Sequence, residues 1–308
     1  MKNGFKWSCF GHQHRLSFGA IIGEMPAALV TLCMIVKNEE RSLARAIESA
    51  RPAAGEIIVV DTGSTDATPA IAASCGAAVH AFDFSLTDFA AARNYAIERA
   101  HGQWILMLDA DETLHPESIP LVRQYAASGA DAGYYFERLN REPDSEKPRA
   151  DYVVRLFPNR PDYRYRGRVH ETIDAAILAA GGRLLRTEIR IDHEFAPDPD
   201  ARRRRNLRYI AILNEEIAAD PADHSRLTFL AAEYHQLGMF EQAAEIAERI
   251  QRLRPHDPEA HLHAGVYHLL YKIDRPRARA DLLEALRLRP GYPEAKSFLD
   301  LLDAQDPA

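Results

Sequence analysis

Four short apolar segments in the first third of the chain alternate with stretches of helical periodicity, and this alternation limits the possible folds more than any other feature of the sequence. The apolar segments suit strands that are buried on both faces. Strands are predicted at 29–36, 57–60, 77–82 and 104–108, with helices at 39–50, 67–74 and 86–101. Such alternation predicts a parallel sheet with helices on both faces.

The pattern changes after residue 113. A helix is predicted first, and two alternating strands follow it on either side of a polar loop. The helix is expected at 116–128, the strands at 133–139 and 151–157, the loop at 140–150, and a mixed continuation at 163–171 and 183–194.

From about residue 201 the chain is helical and repetitive. A basic run, Arg202–Arg205, opens a helix that reaches Ala219, and Pro221, Pro255 and Pro290 follow one another at intervals of 34 and 35 residues. The first interval resembles a tetratricopeptide repeat, whose period is ~34 residues. The residues that carry this resemblance are Ala231, Tyr234, Gly238, Phe240, Ala243 and Ala247. In the second interval Lys272–Asp274 replaces the glycine turn. About two repeats with partial helices at the ends are expected, and a generic helical bundle is the alternative.

A chain of 308 residues is long enough for two domains. We expect a loosely ordered extension at 1–26, an α/β domain at 27–198 and a helical domain at 199–308. The extension superficially resembles a signal peptide, but its apolar patch at 16–22 is short and contains a glycine, and Met25 is a candidate natural start. No apolar run approaches the ~20 residues that a membrane helix needs.

Charge and cysteine content narrow the possible functions. A net charge of −7 argues against nonspecific binding of nucleic acid. The three cysteines, Cys9, Cys33 and Cys75, have no metal-binding or redox spacing, which suggests a reducing compartment. The expected location is the cytoplasm, including a peripheral position at the inner face of the membrane.

The segment Trp104–Glu112 runs from a buried strand into three carboxylates, those of Asp109, Asp111 and Glu112. Carboxylates that lie close together repel one another, and Mg²⁺ or Mn²⁺ would compensate them. The alternative is a solvated acidic turn. Asp61 also follows a predicted strand, so one crevice at the carboxyl ends of the strands can hold both sites. Asp61 itself either contacts a nucleoside or forms an Asx turn with Gly63.

Four segments of the first domain, taken in order, resemble the family 2 glycosyltransferases of the GT-A fold over about residues 29–195. These segments are Cys33–Glu40, Val59–Asp66, Ala92–Asn94 and Leu108–Glu112. The resemblance implies a Rossmann-like domain that binds a nucleotide-sugar donor, here a UDP-sugar, with Mn²⁺ or Mg²⁺ as cofactor. It also implies inversion at the anomeric carbon and transfer to a hydroxyl of a glycan, glycolipid or protein, as in the synthesis of cell-envelope glycans. The predicted fold class is therefore a GT-A domain followed by an all-α tetratricopeptide-like domain.

The resemblance assigns roles on the donor side. Asp61 and Arg93 would contact the nucleotide, Asp109 the ribose or the metal, and Asp111 the metal. A guanidinium at Arg93 can pair with Asp109 or the donor diphosphate, and a surface salt bridge is the alternative.

Three more residues, Lys37, Asn38 and Glu39, follow the first strand and point either at the crevice or into solvent. Two acidic residues have more local expected roles. Asp66 is expected to cap or flank the start of the next helix, and Glu112 to cap the helix that begins near Pro116.

Two later segments, Arg155–Pro158 and Tyr165–Glu171, look like the acceptor side of the lipopolysaccharide-core glucosyltransferase-like branch. An inverting transfer needs a group that removes the proton of the acceptor hydroxyl. Glu171 is the predicted base and His170 its competitor, because many family members have Glu-Asp where this chain has His-Glu.

Further basic residues have two open roles. His193 is either a further metal ligand, for which Mn²⁺ is better suited than Mg²⁺, or a structural residue. Alternating arginines would hold an anion or form a solvated strand face. These arginines are Arg164, Arg166 and Arg168.

Two other functions remain open. A nucleotidyltransferase would share the α/β domain and the metal, but Lys37–Glu40 contains no glycine for a phosphate loop. A degenerate transferase would act as a binding module through its repeats. In either case the repeats can bind a protein, self-associate or present an acceptor.

Overall fold

The computed structural model describes residues 30–141, 148–194, 199–272 and 274–305. The described residues form two compact units, which meet in sequence at Pro197–Asp198. The predicted extension at 1–26 and the candidate start Met25 lie outside the described residues, as does part of the predicted loop at 140–150.

The first unit is built on an eight-stranded sheet with the order β3-β2-β1-β4-β7-β6-β8-β5. Its strands are β1 (Val30–Val36), β2 (Glu56–Asp61), β3 (Ala78–Ala81), β4 (Trp104–Met107), β5 (Glu112–Leu114), β6 (Ala132–Arg141), β7 (Arg149–Pro158) and β8 (Arg183–Glu194). The first four strands are parallel, as predicted. Their carboxyl ends therefore meet at one edge of the sheet.

The second half of the sheet is mixed. Strand β7 runs antiparallel to β4 and β6, whereas β8 is parallel to β6 and antiparallel to β5. This register places His193 opposite Glu112 on one side and opposite Asn140 on the other. Residues that are distant in sequence thus become neighbours beside the acidic motif.

Five α-helices accompany the sheet in the described part of this unit, and apolar layers form on both faces of the sheet. They are α1 (Leu43–Ala50), α2 (Thr68–Ser74), α3 (Phe89–Ile97), α4 (Ile119–Ala127) and α5 (Asp174–Ala179). Alternate residues of β1 serve the two layers: Leu32 packs with the α1 side and Cys33 with the α3 side. Burial of this kind is the main stabilising contribution to such a sheet.

Helix α3 is shorter than the predicted 86–101, because Asp88 caps its first turn and the helix ends at Ile97. Gly102 does not close the helix. A Cβ at Gly102 would lie 2.9 Å from the backbone nitrogen of Thr31 and 3.1 Å from the carbonyl carbon of Val30. The glycine is needed because β1 packs directly against it.

Gly102→Ala is expected to lower the free energy of unfolding by ~1–3 kcal/mol, since overpacking against backbone cannot be relieved by a rotamer change. Urea denaturation would measure the change. The neighbouring exposed residue offers a control, and Gln103→Ala should stay within ~0.5 kcal/mol of the wild type. Equal stability of Gly102→Ala and wild type would contradict this account.

The described residues of the second unit form helices joined by turns. Its α-helices are α6 (Pro199–Ala219), α7 (His224–Gln236), α8 (Phe240–Leu253), α9 (Pro258–Tyr267), α10 (Arg275–Leu288) and α11 (Pro293–Gln305). Gly238, with φ +74°, makes the predicted turn between α7 and α8. No described helix is both long and apolar enough to span a membrane.

A cluster of ion pairs lies where the second repeat lacks its glycine turn. We call it the clamp, and it consists of Glu248, His268, Lys272 and Asp281. Helix α9 continues into a π-helical turn, His268–Lys272. Glu248 of α8 lies 2.7 Å from Lys272 Nζ and 3.0 Å from His268 Nε2, and His268 Nδ1 lies 2.7 Å from Asp281 Oδ2. These ion pairs hold the turn between α8 and α10.

The clamp is expected to make stability pH-dependent. Burial lowers the pKa of His268, but its hydrogen bonds with Asp281 and Glu248 outweigh burial and Arg277, so the pKa is raised. A raised pKa stabilises the fold fully below the unfolded value of ~6.5, and this contribution is lost as the pH rises through the folded value. We expect the free energy of unfolding of the wild type to exceed that of His268→Gln by ~2 kcal/mol near pH 6. This difference should shrink towards pH 9.

The measurement is urea denaturation of both proteins between pH 5 and pH 9. Glu248, with a pKa lowered to about 2, and His263, with a pKa lowered to about 4, titrate below this pH range. His263 is unchanged in both proteins, so the difference between them reports the clamp. His256→Gln, an exposed histidine of the same unit, is the control. A difference that does not vary with pH would contradict the assignment.

Candidate active site

The loops that follow β1 and β2 are interlocked at the carboxyl edge of the sheet. The backbone nitrogen of Asn38 donates to Ser64 Oγ at 2.9 Å, and Asn38 Oδ1 accepts from the backbone nitrogen of Thr65 at 2.8 Å. The backbone nitrogen of Glu39 donates to Thr68 Oγ1 at 2.7 Å. Asn38 is thus a structural link between the loops, while Lys37 is exposed.

Asp61 forms the Asx turn that was one of its two expected roles. Its carboxylate accepts from the backbone nitrogens of Gly63 and Ser64 at 3.2 and 3.1 Å. Each carboxylate has further lone pairs, so this turn leaves capacity for a ligand. Asp66 accepts from the backbone nitrogen of Thr68 at the start of α2. It flanks the helix rather than capping it, because the N-cap residue is Ala67.

Glu39 faces the acidic motif. Burial raises the pKa of its carboxyl, the hydrogen bond from Ser42 lowers it, and the negative charges of Asp111, Asp66 and Asp109 raise it further. The net shift is upward. Negative charge therefore accumulates between the β1 loop and the acidic motif, which is the setting that a cation or a cationic side chain would relieve.

Asp109 is held between two arginines. Its Oδ1 accepts from Arg93 Nη2 at 2.7 Å, and its Oδ2 accepts from Arg155 Nη2 at 2.6 Å. Burial alone would raise the pKa of Asp109, but Arg155 and Arg93 keep it well below the ordinary value. The side chains of Arg93 and Arg155 are only 7% and 6% exposed, so this is not a surface salt bridge.

Arg93 also reaches the predicted base. Its Nε donates to Glu171 Oε1 at 2.7 Å, so one guanidinium joins the acidic motif to the acceptor-side segment. The next residue on α3, Asn94, holds the backbone of Tyr165 through bonds of 2.8 and 3.0 Å. Helix α3 therefore holds both Glu171, the predicted base, and the segment that carries it.

The segment 163–171 is not a strand. A bridge between Arg166 and Thr172 closes it into a loop, so the three arginines Arg164, Arg166 and Arg168 do not line one strand face. Arg164 donates to the backbone oxygen of Arg160, and Arg168 to that of Leu86. The arginines thus serve in part to hold loops.

The competitor base, His170, has φ +49°, and Asn38 has φ +58°. Among the residues that the structure describes, Thr87 is the one other non-glycine residue with positive φ. Strained backbone of this kind costs energy and often occurs at functional sites. Here it marks two of the residues predicted from the sequence.

Glu112 does not cap the following helix, so that expectation is wrong. It lies in β5 with 0% of its side chain exposed, and its Oε1 accepts from Arg155 Nη2 at 2.5 Å. Its Oε2 accepts from the backbone nitrogen of Asp109 at 3.1 Å. Glu112 is therefore a buried, ion-paired residue in direct contact with the candidate site.

His193 stands beside Asp111. Its Nδ1 lies 2.8 Å from Asn140 Oδ1, and its Nε2 lies 3.2 Å from Asp111 Oδ2. If Nδ1 carries the proton, Nε2 offers a lone pair to a carboxylate, and a proton or a metal between them would relieve the contact. Two ligands of one small cation lie ~3 Å apart, which suits this spacing.

The protein alone offers few metal ligands here. Within the described ranges no group of three or more His, Cys, Asp or Glu side chains is arranged to hold a metal ion. Both oxygens of Asp109 already accept from arginines, which leaves Asp111 and His193 as the pair that fits a cation. Mg²⁺ and Mn²⁺ commonly complete such sites with water and substrate phosphates.

Comparison with known proteins agrees with this architecture. The sequence model of glycosyl transferase family 2 matches residues 31–193, more than half of the chain. The chain belongs to this family. A TPR repeat-containing protein of Synechococcus elongatus is 42% identical over 152 residues, covering 49% of this chain and 37% of that protein. An uncharacterized glycosyltransferase of Rickettsia felis is 33% identical over 123 residues, covering 39% and 43%.

This family 2 chain therefore spans about two fifths of the length of those relatives. Among solved structures, S. aureus TarS aligns with a TM-score of 0.48 and 13% identity, covering 86% of this chain and 93% of that one. The fold is a GT-A domain followed by a tetratricopeptide-like helical region.

Most of the predicted site residues of this family 2 chain come together. One cluster holds Arg93, Asp109 and Glu171, and Asp111 lies beside it with His193 and Glu39. Asp61 and Asn38 lie in the interlocked loops, and Lys37 is exposed at the same edge.

The sequence named Arg155 and Tyr165 only as members of the acceptor-side segments, and it did not point to Arg138. Arg155 carried a signal nonetheless, because it is a charged residue within an otherwise apolar strand segment, Val153–Phe157. The ring of Tyr165 lies 5.4 Å from the Arg93 guanidinium. Its hydroxyl is buried and has no hydrogen-bond partner in the part of the chain that the structure describes.

Proposed function

We propose that this chain is a metal-dependent, inverting glycosyltransferase that moves a hexosyl group from a UDP-sugar to a hydroxyl of a glycan, glycolipid or protein. One observation carries the proposal. Arg93 joins Asp109 of the acidic motif to Glu171, so a donor-side carboxylate and a candidate base lie on the same guanidinium. A single displacement needs donor and acceptor groups held close together, and this shared contact supports that arrangement.

On the donor side, Asp61 would hold the nucleoside, with Lys37, Asn38 and Glu39 lining the same edge. The Nη1 atom of Arg93 is buried, and no described residue accepts a hydrogen bond from it. That donor is suited to a diphosphate oxygen. Asp111 and His193, with Asp109 beside them, would hold Mn²⁺ or Mg²⁺, which supplies Lewis-acid stabilisation of the departing diphosphate.

On the acceptor side, Glu171 would take the proton of the acceptor hydroxyl. The acceptor oxygen forms a bond to the anomeric carbon as the bond from that carbon to the diphosphate oxygen breaks. Arg93 Nε occupies Oε1 of Glu171, which leaves Oε2 to receive the proton. One displacement inverts the anomeric configuration.

A thermal-shift screen tests donor binding. The full chain is heated with UDP-glucose, UDP-galactose, UDP-N-acetylglucosamine, GDP-mannose or dTDP-glucose, each with and without Mn²⁺. A donor at 100 times its Kd stabilises the fold by ~2.7 kcal/mol. We expect a shift with a UDP-sugar that is larger when Mn²⁺ is present. No shift with any sugar nucleotide would contradict the proposal.

The other functions give different results. A nucleotidyltransferase would release pyrophosphate from a nucleoside triphosphate and a sugar phosphate. A degenerate binding module would bind neither donor nor metal. The catalytic residues named above all lie in residues 30–194. We propose that the helical unit serves to recruit a protein partner, to self-associate or to present the acceptor, and light scattering would detect self-association.

A further inference from the structure

A row of alternating acidic and basic side chains runs through the first unit and ends at Glu171. We call it the ion-pair chain, and it consists of Asp151, Arg138, Glu112, Arg155, Asp109, Arg93 and Glu171. The first members lie on the hairpin of β6 and β7, and the last lie in the candidate active site.

The outer half of the ion-pair chain anchors Glu112. Arg138 makes two bonds of 2.9 Å with Asp151, and its Nη1 lies 3.5 Å from Glu112 Oε1. Glu112 in turn contacts both Arg155 and the backbone nitrogen of Asp109. Glu112 therefore holds both the side chain of Arg155, which contacts Asp109, and the main chain of Asp109 itself.

The inner half makes Arg155 the second support of Asp109. Arg155 Nη2 donates to Asp109 at 2.6 Å and to Glu112 at 2.5 Å, opposite the oxygen that Arg93 contacts. Arg93 is tied between Asp109 and Glu171. A displaced Asp109 would thus release Arg93, and with it the orientation of Glu171.

Stability alone does not account for this arrangement. Taking charged groups out of water is costly, and well-packed apolar residues of the same volume often stabilise a fold as well or better. Three arginines and three of the four carboxylates of the ion-pair chain are at least seven tenths buried. Ion pairs can instead fix the orientation of side chains, because a planar guanidinium holds carboxylates at fixed angles.

We propose that Arg155, held by Glu112, is a positioning residue for sugar transfer, which it supports by fixing Asp109 so that Arg93 stays directed at Glu171. Arg155 acts through Asp109 and Arg93 rather than on the substrate. This inference rests on the proposed function, because it assigns Arg155 a part in that same reaction.

Arg155→Lys tests the proposal because it keeps the charge and loses the planar fork. We expect kcat to fall ~10–100-fold, since small displacements of positioned groups have effects of this size. The KM for the sugar nucleotide should stay within ~3-fold, because a loss confined to the transition state lowers kcat without raising KM. The assay is release of UDP from UDP-glucose or the UDP-sugar that gives the largest thermal shift, with saturating Mn²⁺.

Glu112→Gln is the second variant, and it keeps the shape of the side chain while removing its charge. It should lower kcat in the same direction without moving KM. Arg160→Lys is the matched control. Arg160 follows β7 and pairs with Asp131 and Asp162, outside the ion-pair chain. The kcat of Arg160→Lys should therefore equal that of the wild type.

The outcomes are distinguishable. If the wild type is active and both Arg155→Lys and Glu112→Gln have the same kcat as the wild type, the positioning role is overturned. The proposed function is not affected by that result. Loss of kcat together with a raised KM and a lowered Tm indicates a merely structural role and also overturns it. A wild type that turns over none of the sugar nucleotides overturns the proposed function itself. If Arg155→Lys does not fold, Glu112→Gln decides.

Discussion

Glu171→Gln is expected to reduce sugar transfer about 10³-fold while donor binding persists. General-base catalysis contributes ~10²–10⁴-fold, and an amide cannot accept the proton of the acceptor hydroxyl. The glutamine oxygen can still accept from Arg93 Nε, which lies 2.7 Å from Glu171 Oε1 in the native protein. Steady-state release of UDP measures the rate, and the thermal shift with the same UDP-sugar measures binding.

The control for this variant is Glu137→Gln. Glu137 is also a carboxylate paired with an arginine, Arg190 at 2.9 Å, but it lies on β6 outside the site. Its activity should match that of wild type. Full activity of Glu171→Gln would move the base elsewhere, and His170→Asn would then be the next variant. Loss of donor binding in Glu171→Gln would assign Glu171 to the donor instead.

The parallel half of the sheet was predictable because buried strands and amphipathic helices have different periods. The apolar runs at 29–36 and 104–108 became β1 and β4, and their carboxyl ends meet as expected. The mixed half was only partly predictable. Strand β5 has three residues, too few to show a period, and its pairing with β8 depends on residues almost 80 positions away in sequence.

The candidate site was predictable mainly as a set of positions. The sequence predicted that Asp61 and Asp109 share one edge of the sheet and that Arg93 can pair with Asp109, and the structure brings Arg93, Asp109 and Glu171 together. The sequence did not show that two arginines share the carboxylate of Asp109. That sharing depends on Arg155, which lies in a predicted strand but whose neighbours were set only by the pairing of β7 with β4.

Glu112 illustrates why local rules fail at such a site. An acidic residue shortly before Pro116 is a reasonable helix cap by composition. Tertiary pairing prevailed instead, because β5 joins β8 and carries Glu112 into the interior, where Arg155 neutralises it. The clamp at His268 is a parallel case, in which long-range ion pairs replaced the glycine that the repeat pattern expects.

Asp111→Asn is expected to lower transfer about 10³-fold and to abolish the part of the thermal shift that depends on Mn²⁺. Asp109 and Glu112 are offset by arginines, whereas Asp111 faces His193 and is 40% exposed. Asp111 therefore carries the negative charge of the motif that remains for a cation. A metal supplies several kcal/mol of charge stabilisation, and ~4 kcal/mol corresponds to about 10³-fold in rate.

The decisive measurement compares UDP release with EDTA and with increasing Mn²⁺ for wild type, Asp111→Asn and Asp162→Asn. Asp162 is an exposed carboxylate paired with Arg160, so its variant controls for the loss of one negative charge. Wild type and Asp162→Asn should show the same metal dependence. If Asp111→Asn retained near-normal turnover that EDTA did not affect, Asp111 would not hold a metal, and diphosphate stabilisation would have to come from Arg93 and its neighbours instead.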